Sequence, residues 1–239
     1  MNIILFYPTE VELPLPQNDP RARHILDVLR RQPGDSFDAG LINGPRGKGT
    51  LVAIDEGSLR LSFSWGELPP PPAPIHLLIG LPRPQTARDI LRDVTTLGVT
   101  ALYFVRTDKG EAGYAGSKLW KSHEWRDCLI TGAAQAFCTR LPEVTHGQTL
   151  AETLGTLPAG ATRLLLDNYE AATALSQQPV APNQPVVLAV GSERGWSAAE
   201  RTLYRDAGFT LVHLGPRVLR TETACIAAVT LLQAKPGSL

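Results

Sequence analysis

Two stretches near the end of the chain hold the residues whose types and spacing could do chemistry. The first, Gly191-Ser192-Glu193-Arg194-Gly195-Trp196-Ser197, follows the apolar run Val186–Val190. Its glycines let a ligand approach the backbone closely, and Ser197, with Glu200 beyond it, is placed to cap a following helix. On its own this Gly-x-Glu-x-Gly spacing fits an ordinary strand-to-helix turn equally well. The second, Leu214-Gly215-Pro216-Arg217-Val218-Leu219-Arg220-Thr221-Glu222-Thr223-Ala224, follows another short apolar run at 210–214. It sets a loop with two arginines between a strand and a helix, with threonines suited to capping the helix. Such a loop could enclose a ligand, while Arg217 and Arg220 also suit a solvated surface. Together the two stretches offer binding chemistry: backbone groups, apolar side chains and cations.

The elements that must position them alternate in type. Short apolar runs at 75–81, 101–105, 163–166, 186–190 and 210–214 predict strands, and helical spacing predicts helices over 86–97, 119–136, 198–207 and 221–234. This alternation predicts an α/β domain, a largely parallel sheet covered by helices on both faces. In open sheets of that kind ligands settle beyond the carboxyl ends of the strands, where both stretches fall. Upstream, the run Leu68-Pro69-Pro70-Pro71-Pro72-Ala73-Pro74 can join neither a helix nor a sheet interior and marks a domain boundary. Before it, a helix over 21–31 and strands at 36–42, 50–54 and 59–63 suit a small β-barrel over residues 1–70. The α/β domain then runs over 75–239.

Composition narrows the function classes. A chain of 239 residues with 43% hydrophobic and 19% charged residues is an ordinary folded protein of one large or two unequal domains. Its 23 basic and 23 acidic residues cancel, so any nucleic-acid contact must be local. Cys128, Cys138 and Cys225 show neither Cys-x-x-Cys nor a histidine at metal-ligand spacing, so cytosolic thiols and no metal site are expected. The start, Met1 to Pro8, is too short in apolar residues for a signal peptide or membrane span and reads as a first strand. A nucleotide-dependent oxidoreductase is a poor fit: where a glycine-rich turn should follow the first strand of the α/β domain stands Leu81-Pro82-Arg83-Pro84.

The two closing stretches, taken with Leu81-Pro-Arg-Pro, Leu97-Gly-Val, Gln135, Leu141-Pro-Glu-Val and, upstream, His24-Ile-Leu-Asp-Val-Leu-Arg and Gly34-Asp35, closely resemble the bacterial small-subunit ribosomal RNA uridine-N3 methyltransferases of the SPOUT superfamily. The resemblance spans nearly the whole chain. It implies a PUA-like RNA-binding barrel, a methyltransferase domain threaded as a deep trefoil knot, a cytoplasmic homodimer and S-adenosylmethionine as methyl donor. It places the cofactor against Leu166, Asp167, Val190, Gly191, Gly195, Leu214, Gly215, Val218, Leu219 and Thr223. Loss of the uridine N3 proton calls for an anion-stabilising group and a proton acceptor, for which Arg220, Glu222 and Glu193 are the candidates. Arg23, Arg46, Lys48, Arg83 and Arg140 are the candidate contacts to ribosomal RNA within the small subunit.

Several positions depart from the family pattern. Ser192 and Arg194 stand where a proline and a glycine are usual; Gln85 replaces a lysine; Ala134 precedes Gln135 where a glutamate is usual; and Phe137 or Cys138 occupies the place of an arginine. Thr107-Asp108-Lys109-Gly110 differs as well. These changes leave open a different target nucleotide, or a non-catalytic RNA-binding or ribosome-assembly factor. Lys118, Lys121, Arg126 and Arg140 could supply a substitute phosphate-binding stripe.

Overall fold

The structure is a computed structural model that describes residues 3–181 and 184–235. The chain divides into two compact units, Met1–Pro71 with Ile130–Leu141, and Pro72–Leu129 with Pro142–Leu239.

In the first unit, β1 (Ile4–Phe6), β2 (Leu15–Pro16), β3 (Ser36–Leu41), β4 (Arg46–Asp55) and β5 (Ser58–Trp65) form one sheet in the order β1-β3-β4-β5-β2. Met1 and Asn2, the start of the expected first strand, lie outside the described residues. The β1–β3 pair is parallel and the others antiparallel. Helix α1 (Pro20–Arg23) begins on a capping Asp19 and a first-turn proline, then continues as one π-turn over His24–Val28. Phe6, Ile25, Phe37, Leu51 and Leu59 make the apolar centre. Arg21 forms ion pairs with Glu10 and Asp19, both at 2.8 Å. Residues 130–141 pack here: Ala133 joins Ile3, Leu5 and Ile42, and the Thr139 hydroxyl donates to the Gly44 carbonyl at 2.5 Å.

The second unit holds β6 (Ala73–Gly80), α2 (Pro84–Thr96), β7 (Val99–Arg106), α3 (Lys118–Lys121), α4 (Glu124–Gln135, its end counted with the first unit), β8 (Glu143–Thr149) and α5 (Leu150–Leu154). They are followed by β9 (Thr162–Leu166), β10 (Thr173–Ala174), β11 (Val186–Val190), α6 (Ala198–Asp206), β12 (Thr210–His213) and α7 (Thr221–Gln233). The strands form one seven-stranded sheet, β10-β12-β9-β11-β6-β7-β8, parallel throughout. The α/β expectation is met.

Side chains alternate across such a sheet, so each strand must be apolar on both faces if both are covered. Strand β11 is buried at every position, with Leu188 opposite Leu164 on one neighbour and Leu77 on the other. On one face Leu78, Val105, Leu165 and Ala189 pack with Leu150 of α5, Tyr204 of α6 and Trp196. The other face carries Leu77, Leu164 and Leu188, all fully buried, and α7 lies against β6, β11 and α2.

The helix expected over 119–136 is two helices. His123 has φ +60°, a left-handed conformation that ends α3, and α4 restarts at Glu124. Strand β8 was not foreseen: Glu143-Val-Thr-His-Gly-Gln-Thr has no apolar run because it is a sheet edge, partly exposed along its length.

Candidate active site

The segments that leave β9, β11 and β12 line one cavity of about 760 Å³. That volume lies in the range of small-molecule sites, at the carboxyl ends of central parallel strands.

After β9 the chain turns on Asp167. Its Oδ1 accepts the amides of Tyr169 and Glu170, both at 2.8 Å, and its Oδ2 accepts Arg201 Nε at 2.6 Å. The Arg201 side chain is 9% exposed and that of Asp167 2%, so this ion pair is held out of water.

After β11, Gly191 and Gly195 each meet a physical requirement. A Cβ on Gly191 would sit 3.0 Å from the Gly195 Cα, and Gly195 adopts φ +62°. Gly80, at the end of β6, is equally constrained: a Cβ there would lie 2.7 Å from the Ser192 amide nitrogen. Ser197 caps α6, and the Glu200 carboxylate closes a capping box on the Ser197 amide at 2.7 Å.

The same carboxylate accepts the Asp108 amide at 2.9 Å, and the Ser197 hydroxyl donates to Asp108 Oδ2 at 2.5 Å. Lys109 Nζ donates to the Trp196 carbonyl at 2.9 Å, and Arg194 Nη1 to the Lys109 carbonyl at 3.4 Å. Two segments singled out for their unusual sequence, 107–110 and Ser192 to Arg194, are therefore neighbours that bind each other.

After β12, Gly215 takes φ +113°, with its amide on His213 Nδ1 at 3.0 Å. Helix α7 has Arg220 at its N-cap, without a side-chain cap bond. The threonines expected to cap it lie inside its first turn instead, because the backbone reaches helical geometry one residue after Arg220.

Of the expected cofactor residues, Leu166, Asp167, Val190, Gly191, Gly195, Leu214, Val218 and Leu219 line the cavity. Gly215 and Thr223 are not among the lining residues; Thr223 is an exposed position of α7. Arg220, Glu222 and Glu193 also line it, as does Arg83. Glu193 Oε1 accepts the Arg83 amide at 3.2 Å. The other RNA-contact candidates belong to the first unit. There Arg46 stands 6.0 Å from the Phe137 ring, Lys48 pairs with Asp38 at 2.6 Å, Arg140 Nε donates to the Pro69 carbonyl at 3.0 Å, and Arg23 is exposed. Lys118 and Lys121 are on α3 and Arg126 on α4.

Sequence reasoning missed Tyr169 and Arg201 as wall residues. Nothing in their types or spacing marks them, since an arginine in mid-helix ordinarily faces water.

The wall is chemically mixed. Leu166, Val190, Leu214 and Leu219 supply apolar surface. Ser192 Oγ and Trp196 Nε1 are buried there without a hydrogen-bond partner among the described residues. Apolar walls beside close-approach glycines suit a flat ligand whose polar edge meets backbone groups, as the base of a nucleoside does. Five arginines and three carboxylates line the cavity, an excess of cations that favours an anionic partner at its mouth. Among the described residues no group of three or more His, Cys, Asp or Glu side chains could hold a metal ion.

Known proteins are similar to this chain in sequence and fold. Residues 69–233 match the RNA methyltransferase domain family. The ribosomal RNA small subunit methyltransferase E of Treponema pallidum is 36% identical, over 98% of this chain and 91% of that protein. The crystal structure of the Neisseria gonorrhoeae ribosomal RNA small subunit methyltransferase E bound to S-adenosyl methionine superposes with a TM-score of 0.78 at 25% identity, covering 97% of each chain. A second structure, from Legionella pneumophila and in complex with the bound cofactor SAM, gives 0.81 at 25% identity over 98% of each. The fold and the sequence thus have full-length counterparts, and the chain belongs to the RNA methyltransferase domain family, in its ribosomal RNA small subunit methyltransferase E group.

Proposed function

We propose that this protein transfers the methyl group of S-adenosylmethionine to N3 of a uridine in the RNA of the small ribosomal subunit. The observation that carries this reading is the meeting of the two closing motifs on one cavity, with the Gly191–Gly195 backbone in its wall. When bound, the cofactor supplies an already activated methyl group on its sulfonium. The chain's own residues have three remaining tasks.

The first is to hold the cofactor between Leu166, Val190, Leu214 and Leu219, with the Gly191 and Gly195 backbone at close approach. The second is to accept the N3 proton. Glu193, oriented by the Arg83 amide, and Glu222 in the first turn of α7 are the carboxylates in place. The third is to stabilise the negative charge that develops on the uracil as the proton leaves. Arg220, exposed at the α7 N-terminus, is assigned that role, reinforced by the helix amides beside it.

The same reading gives residues 1–70 the role of a PUA-like RNA-binding barrel, with Arg23, Arg46 and Lys48 as contacts and Arg83 and Arg140 as further contacts outside that range. It gives residues 75–239 a knotted methyltransferase domain; the strand order β12-β9-β11-β6-β7 supports it. It also carries a cytoplasmic homodimer with the knotted helices at its interface. No described helix is long and apolar enough to cross a membrane. The alternative of a non-catalytic RNA-binding factor rests on the altered positions Gln85, Ala134 and Arg194; of these, only the Arg194 side chain gains a hydrogen-bond partner among the described residues. That side chain reaches the Lys109 carbonyl, which weakens this support.

Mapping ribosomal RNA by mass spectrometry in a deletion strain tests the proposal. One methylated uridine should vanish on deletion, return with the intact gene and stay absent with Arg220→Ala. An unchanged modification pattern after deletion contradicts it.

A further inference from the structure

Tyr169 and Val218, at 82% and 80%, are the most exposed large apolar side chains among the described residues. Scattered exposed apolar residues are ordinary, but these two converge on one cavity, Tyr169 from the loop after β9 and Val218 from the loop after β12. Tyr169 is also held in place. Its amide donates to Asp167 Oδ1 at 2.8 Å, and the Arg201 guanidinium carbon lies over its ring, 5.4 Å from the centroid. Arg201 is in turn fixed by Asp167. One ring face is thus backed by an anchored cation, and the high exposure leaves the other face to solvent.

At the same mouth, Arg217 and Arg220 are exposed, and their side chains form no hydrogen bond or ion pair within the described residues. A backed aromatic face, an apolar branch and two uncommitted cations match a nucleotide part by part, with a base to stack and a phosphate to neutralise.

We propose that Tyr169 and Val218 form a stacking platform for a base of the RNA substrate at the cavity mouth, with Arg217 on a phosphate of the same strand. The platform rests on the methyltransferase reading and names what the outer part of that cavity receives. It is assigned to RNA and not to the cofactor's adenine, because an adenine is held between enclosed apolar walls and Tyr169 is almost fully open.

Binding to small ribosomal subunits purified from a deletion strain, with S-adenosylhomocysteine at saturation, tests the platform without requiring turnover. Calorimetry with S-adenosylmethionine reads the inner cavity separately. Tyr169→Ala should weaken subunit binding roughly ten- to hundredfold and leave cofactor affinity unchanged. Tyr169→Phe, which keeps the ring, should recover most of the loss. Since the side chain is exposed, the melting temperature of both variants should match the wild type. Unchanged subunit binding by Tyr169→Ala overturns the platform, as does an equal loss of cofactor affinity, which would place adenine on the ring. Methyl transfer to the same subunits by the wild-type protein is a separate measurement, and its absence counts against the methyltransferase reading and not against stacking.

Discussion

The Nε of Arg201 and the Oδ2 of Asp167 lie 2.6 Å apart, joining the middle of helix α6 to the first residue after strand β9. The pair is nearly shut off from water, and the same carboxylate ties down the amides of Tyr169 and Glu170. Removing Asp167 leaves the buried Arg201 with only the more exposed Glu170, 3.5 Å from its Nε, and frees two amides. Asp167→Ala should therefore lower unfolding stability by about 3–5 kcal/mol, read by urea denaturation. A loss below about 1 kcal/mol would mean the pair behaves as a surface ion pair.

Trp196 is 1% exposed and meets Tyr204 edge to face, with ring centroids 4.9 Å apart. Trp196→Ala should cost about 3–5 kcal/mol and widen the cavity wall. Trp196→Phe should cost clearly less, because it keeps the aromatic contact. Equal losses would show that the edge-to-face contact with Tyr204 adds nothing to stability.

Gly80 lies outside both closing motifs, yet a Cβ there would strike the Ser192 backbone. Gly80→Ala should push the 191–195 loop and lower stability by about 1–3 kcal/mol, with a parallel fall in calorimetric affinity for S-adenosylmethionine. Full affinity in this variant would separate the loop from the ligand site.

Two histidines give the second unit a pH dependence. Burial holds His76 below the ordinary histidine value, and burial together with the nearby His123 does the same for His146. The unfolded chain then takes up protons before the folded one. Stability should be full above about pH 6.5, decline as pH falls below that value and level off under the folded-state values. His146→Phe keeps the stack on Trp120, whose centroid is 4.5 Å away, and should flatten part of this slope. An identical slope in the variant would remove His146 from the account. A separate acid limb belongs to Glu10, which the Arg21 hydrogen bond holds below the usual carboxylate range, so its contribution is lost at lower pH still.

Periodicity exposed the parallel sheet because strands such as Val186–Val190, buried on both faces, read as unbroken apolar runs. The polar edge strand Glu143–Thr149 has no such run, and the left-handed turn at His123 has no residue-type signal. At the site, the glycines and the Leu214 to Ala224 stretch were legible because backbone approach restricts residue type. Tyr169 and Arg201 were not. Their roles arise when Asp167 draws a strand end and a helix together, a contact between residues 34 apart in sequence.

The most direct measurement supplies trideuteromethyl-labelled S-adenosylmethionine to the full-length protein with small ribosomal subunits from the deletion strain, followed by nucleoside mass spectrometry of the RNA. The account predicts label in N3-methyluridine alone, at one site, and none with Arg220→Ala. Label in any other nucleoside, or no label with the wild-type protein, would contradict it.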